Sequence, residues 1–283
     1  MKTALATAYS TLSIASLLQL VHLSKLAIVN EGRLHSVSAT RRMAVFSPFN
    51  LLLAFMLVSN LCLFTSHSFA GFGLADYVVS DIVANIAAVT TQHGYVACSF
   101  SRSKDVIALV TPRFLPTMTL LVRFGPILFY TFSLADILSN SGVLSLSLSN
   151  DVEFIIASFM GATILAFDVL CISVFLRYIR SVNEKVGILD PKLSIITRYM
   201  MASSFVGIIA LAIYVAGNVV DASLYPIFLI CVHICFCIIP SIMLAMKMSL
   251  LREKDARKVT SVRLQHSGQF VDPQKDGSTL FAT

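Results

Sequence analysis

The chain is short of charge. Of 283 residues only 13% are charged while 57% are hydrophobic, whereas an ordinary soluble domain carries roughly a quarter charged residues. That excludes a conventional water-soluble globule. Tryptophan is absent altogether. No Asn-x-Ser/Thr triplet occurs, so no N-glycan acceptor marks an outer face. The six cysteines, Cys62, Cys98, Cys171, Cys231, Cys235 and Cys237, all fall inside or at the end of an apolar run. A disulfide-stapled extracellular framework is excluded with them.

What the chain does have is long apolar runs separated by short polar stretches. A helical span needs about 20 apolar residues, and candidate spans lie at roughly 4–24, 44–66, 74–98, 116–138, 153–177, 194–217 and 222–247. The third differs from the others: between Tyr77 and Tyr95 it carries Asp81, Asn85, Gln92 and His93. The expected fold is an all-α membrane bundle of seven transmembrane helices over residues 1–247. A cytoplasmic tail follows over 248–283, basic at first (Leu251–Leu264) and then polar and disordered (Gln265–Thr283). A short interfacial helix at Leu251–Leu264 fits, because basic segments beside a span are drawn to anionic lipid.

The net charge of +6 is placed with a bias. Every Lys and Arg except Lys2 and Arg123 lies in the linkers after spans one, three and five, in the ends flanking them, or in the tail. The alternate linkers at 67–73, 139–152 and 218–221 contain none. Positive charge near span ends marks the cytoplasmic side, which puts the N-terminus outside and the C-terminus inside. Orientation accounts for the basic residues without nucleic acid. The same bias argues against a cleaved signal peptide, since removing the first run would leave a basic extracellular linker. The expected location is the plasma membrane.

Ionisable groups inside a span are costly and mark sites. Arg123, about 10 Å into span four, and Asp168, about 13 Å into span five, lie at one depth from the cytoplasmic face, counting about 1.5 Å per residue, with Gln92 and His93 at a similar level. The two either form a buried polar pair, or Arg123 reaches to the interface and Asp168 stays neutral. Nearer the outside, Tyr77, Asp81 and Asn85 share one stripe of span three, at i, i+4 and i+8. Tyr214 and Asn218 share a face of span six. Together these five form a candidate ligand site open to the outside, or else a hydrogen-bonded structural cluster. Small residues four apart, at Ala157/Gly161, Ser203/Gly207 and Ala84/Ala88, suit close helix packing.

Neither metal nor cofactor is expected. The run Cys231-x-His233-x-Cys235-x-Cys237 divides between two helix faces, because residues i and i+2 point about 200° apart, so it does not close a tetrahedral site. An intramembrane zinc hydrolase similar to alkaline ceramidases needs several histidines at one depth. His22, His67, His93 and His233 read as lying at different depths, which argues against an enzyme.

Seven spans, an outside N-terminus, short outer loops and basic inner linkers resemble the layout of G-protein-coupled receptors, by topology alone. Rhodopsin-like motifs are missing. Span three ends Tyr95-Val96-Ala97-Cys98 without an acidic-Arg-Tyr triplet, and Ile239-Pro240-Ser241 keeps only the proline of Asn-Pro-x-x-Tyr. No lysine between Tyr225 and Ala245 is available for a retinal Schiff base, and spans one, three, five and six lack the helix-breaking proline of the sugar-transporting SWEET proteins. The expectation is therefore a receptor-like protein that binds a small extracellular ligand. It would couple to a cytoplasmic signalling protein through Arg177, Arg180 and Lys185. The alternative is a small-solute transporter or channel.

Overall fold

The computed structural model describes residues 2–31, 47–140, 146–186, 191–220 and 223–266. Among these all regular structure is helical. Seven long helices follow in order: α1 (Lys2–Lys25, continued by a π-helical stretch Leu26–Glu31), α2 (Pro48–Gly71), α3 (Tyr77–Val110), α4 (Leu115–Asn140), α5 (Leu146–Val186), α6 (Pro191–Val219) and α7 (Tyr225–His266).

Local chemistry sets the helix ends. The Ser47 hydroxyl accepts from the Asn50 N–H at 3.4 Å, and Pro48 takes the first position of α2, where a missing N–H costs nothing. Past α2 the chain turns through Gly73 at φ +70°, a left-handed conformation that glycine adopts without strain. Asp76 then caps α3 by accepting from the Val79 N–H at 3.1 Å. Thr111, at φ −140°, ends α3, and a single 3-10 turn, Pro112–Phe114, leads into α4.

The helices run up and down. α1 and α2 meet antiparallel through the hydroxyl pairs Ser10–Ser68 (2.6 Å) and Ser13–Thr65 (3.2 Å). α3 packs on α2, α4 and α5, and α7 packs on α6, α1 and α2. Glycines admit close approaches, the tightest at Gly94, where a Cβ would sit 2.5 Å from Met56 Cγ, and at Gly161, where one would sit 2.5 Å from Leu211 Cδ1. Ala84 is fully buried. Gly207 is a correction, because open space surrounds the position where a Cβ would be and no close contact uses it.

Large apolar side chains cover the outside of the bundle, among them Leu18, Ile127, Ile155, Phe159 and Phe205. Phe64, Phe129, Phe175, Leu53, Met56 and Leu57 fill the inside. A surface that apolar belongs in lipid. Among the described residues six helices are long and apolar enough to cross a membrane, and the chain is an integral membrane helix bundle. The helix outside that set is α3, although three helices pack around it.

α3, α5 and α7 have 34, 41 and 42 residues, roughly 50–60 Å at 1.5 Å per residue, against a hydrocarbon core of about 30 Å. All three overshoot at the same end, carrying Arg102, Lys104, Arg177, Arg180, Arg252, Lys254 and Arg257 there. The change of character expected at residue 248 is therefore not a break in structure. α7 runs through it unbroken to His266, so Gln265 and His266, read as the start of a disordered tail over Gln265–Thr283, are helical; residues 267–283 lie outside the described residues.

Candidate functional site

Polar side chains meet inside the bundle at three levels. Nearest the N-terminal end of α1, Tyr9 Oη and His233 Nδ1 are 3.0 Å apart, and the histidine tautomer sets which one donates. The Tyr9 ring stacks on His67 at 4.7 Å between centroids, His67 and His233 are 5.3 Å apart, and Phe64 and Phe236 each flank His233 at 6.0 Å. Tyr77 and Tyr225 are close enough to Tyr9 to interact with it electrostatically. His233 is 4% exposed, while His67 is only half-buried.

This convergence corrects the reading that set the histidines at different depths. His67 lies four residues from the end of α2 and His233 eight from the start of α7, a difference of about 6 Å along the axes. The rings span that gap. Depth counted along separate helices is too coarse to exclude such a contact. His93 and His22 lie elsewhere, against Phe129 and Met248 respectively.

The middle level is organised by Pro240. Within α7 the Phe236 carbonyl would accept from the N–H of residue 240, and proline has none. Asn60 of α2 supplies a donor instead, Nδ2 to the Phe236 carbonyl at 2.8 Å, and Thr91 of α3 donates to Asn60 Oδ1 at 2.9 Å. One turn along, Gln19 of α1 donates to the Cys237 carbonyl at 3.0 Å and to Ser241 Oγ at 2.6 Å. α1 and α2 thus donate into α7 around its proline, and α3 holds Asn60 in place. Any interior proline in a membrane helix leaves a carbonyl that needs a partner; that signal was present at Pro240, and the sequence reading did not use it.

At the third level Tyr95 of α3 donates to Asp168 Oδ2 of α5 at 2.8 Å, with Ser203 of α6 3.4 Å from the same hydroxyl. Farther along, Lys247 donates to Asn50 Oδ1 and the Arg102 guanidinium lies 3.7 Å over the Phe49 ring. The expected Arg123–Asp168 pair is not made. Asp168 is buried on Tyr95, its Oδ1 has no hydrogen-bond partner, and Arg123 is exposed on α4. Matched depth places two residues at one level without turning them toward each other.

Of the expected ligand residues, Tyr77 is 72% exposed beside Tyr9, and Asp81 and Asn85 are half-buried one and two turns along α3. Tyr214 is half-buried on α6. Asn218 donates to the Tyr214 carbonyl at 2.8 Å, so its amide is engaged within its own helix. Tyr77 of α3 and Tyr225 of α7 both lie within electrostatic range of Tyr9 on α1. Arg177 and Arg180 are exposed near the end of α5, with Arg177 lining a mainly apolar cleft of about 140 Å³ beside Thr111 and Phe114. The Lys185 side chain lies outside the described residues. Comparison with family profiles, characterised proteins and solved structures finds no match.

Proposed function

We propose that the chain is a receptor-like protein of seven spans, α3 being the seventh, with its N-terminus outside and its C-terminus cytoplasmic. It binds a small ligand from the outside and has no catalytic role. α3 is included because three helices pack on it, with its Thr90, Thr91, Ser99 and Ser103 buried and its Val79, Val83 and Ile86 exposed, as expected of a span that turns polar side chains to protein and apolar ones to lipid. The orientation is supported by the basic overshoot of α3, α5 and α7 at one end.

The observation that carries the receptor reading is the Tyr9–His67–His233 cluster. It ties α1, α2 and α7 together where they open outward, with the exposed Tyr77 at its edge. Aromatic faces beside the Asp81 carboxyl and the Asn85 amide suit a small cationic ligand. Tyr214 and Asn218 stand on the α6 rim of the same outer end. Arg177, Arg180 and Lys185 offer the opposite end to an acidic cytoplasmic partner. A transporter is the second reading, favoured by the carboxyl of Asp168 inside the bundle, because intramembrane carboxyls also line solute pathways.

Cells expressing the full chain, exposed to a panel of small primary and quaternary amines, separate the two readings. For a receptor, Asp81→Asn weakens binding roughly tenfold or more at unchanged expression, the loss of about 1.4 kcal/mol. Neutralising Arg180 and Lys185 spares binding and lowers the response. Movement of the amine across vesicles containing the purified protein, abolished by Asp81→Asn, would replace the receptor by the transporter.

A further inference from the structure

The interface of α3, α5 and α6 gathers buried oxygens that the protein does not satisfy. Asp168 is 2% exposed; Tyr95 takes its Oδ2, and Oδ1 has no hydrogen-bond partner. Ser204, 4% exposed, lies within reach of the Asp168 carboxyl and the Tyr95 hydroxyl, yet its Oγ makes no hydrogen bond of normal geometry. Ser99, 1% exposed, sits one turn from Tyr95 on the stripe of α3 that faces α5. Tyr95 meets Asp168 at one end of that stripe and Ser103 meets Cys171 at the other. The Ser99 Oγ also has no partner.

A carboxylate removed from water is costly unless positive charge compensates it, and Arg123, the basic residue matched to it in depth, faces away. The compensating group must fit a hard oxygen set containing a single carboxylate. Hard oxygen ligands select alkali and alkaline-earth ions rather than zinc or copper. A monovalent ion balances one carboxylate, whereas a divalent ion would leave a net buried charge. We propose that Asp168, Ser204 and Ser99 form a binding site for a sodium ion at the core of the bundle. Tyr95 acts as a positioning residue that fixes the carboxyl through Oδ2. The inference does not depend on the receptor reading, since it concerns the same packed interface whether the bundle signals or transports.

The test uses purified full-length protein in lipid nanodiscs, with the thermal unfolding midpoint followed as sodium chloride replaces choline chloride at constant ionic strength and pH. Sodium should raise the midpoint saturably, because a ligand of the folded state stabilises it by mass action. Ser204→Ala should fold and need about tenfold more sodium for half the effect, the loss of roughly one ligand's worth of binding, about 1.4 kcal/mol. Asp168→Asn should melt at one temperature whatever the cation. Equal wild-type midpoints in sodium and choline, or a full sodium effect retained in Asp168→Asn, overturn the site. A midpoint that responds to pH alone also overturns it, assigning a proton to the carboxyl instead. Should Asp168→Asn not fold, the wild-type titration and Ser204→Ala decide. Ligand and flux assays play no part in this readout, so its failure leaves the functional reading untouched.

Discussion

The Tyr9–His67–His233 cluster and the Asp168 network solve the burial of polar groups in membrane helices in different ways. In the first, rings that need no net charge cover one another, and the buried hydroxyl and imidazole satisfy each other at 3.0 Å. In the second, a hydroxyl satisfies one carboxyl oxygen at 2.8 Å while the other, together with two serine hydroxyls, is left without a donor. Neutral polar groups can be paired by other neutral groups, so they tie helices together. A carboxyl at the same kind of depth takes up either a proton or a positive partner, and where no side chain provides the latter the site has chemistry left over.

The comparison breaks most readily at His233. His233→Ala removes the ring contacts with Tyr9, His67, Phe64 and Phe236 and strands the Tyr9 hydroxyl. The expected destabilisation is about 3 kcal/mol, measured by unfolding in detergent; a loss under about 1 kcal/mol would mean that the cluster does not hold α1, α2 and α7 together.

Asn60→Ala comes next, at about 2 kcal/mol, because it strips a donor from the Phe236 carbonyl. Pro240→Ala restores an N–H to α7, so Asn60→Ala should cost about 1 kcal/mol less in that background. Additive effects of the two substitutions would show that Asn60 is not serving the carbonyl that Pro240 leaves without a helical donor. The smallest effect belongs to Arg123→Gln, within about 0.5 kcal/mol as for other exposed positions without a partner. A large loss there would restore the Arg123–Asp168 pair and remove the contrast between the two regions.

Much of the fold was legible because lipid imposes a long apolar period that few other structures need. The run at 194–217 became Pro191–Val219, and that at 116–138 became Leu115–Asn140. The ends of α3, α5 and α7 were not legible, since hydropathy stops at the membrane surface and a polar helix does not. At the candidate site Asp168 stood out as a charge in an apolar run, but its partner did not, because Tyr95 passes for an ordinary aromatic in a span. His67 and His233 were each visible, and only helix packing brought them together. Pro240 was visible too; that its orphaned carbonyl recruits Asn60 and, through it, Thr91 is a fact of tertiary structure.

The most direct test of the seven-span bundle is the side on which its two ends lie. Reporter tags fused to the N-terminus and after Thr283 are labelled in intact cells with a membrane-impermeant reagent and again after permeabilisation. An odd number of spans with α3 among them predicts labelling of the N-terminal tag in intact cells and of the C-terminal tag only once the membrane is opened. Labelling of both tags in intact cells, or of neither until the membrane is opened, would contradict the account, remove α3 from the set of spans and with it the outward-facing site.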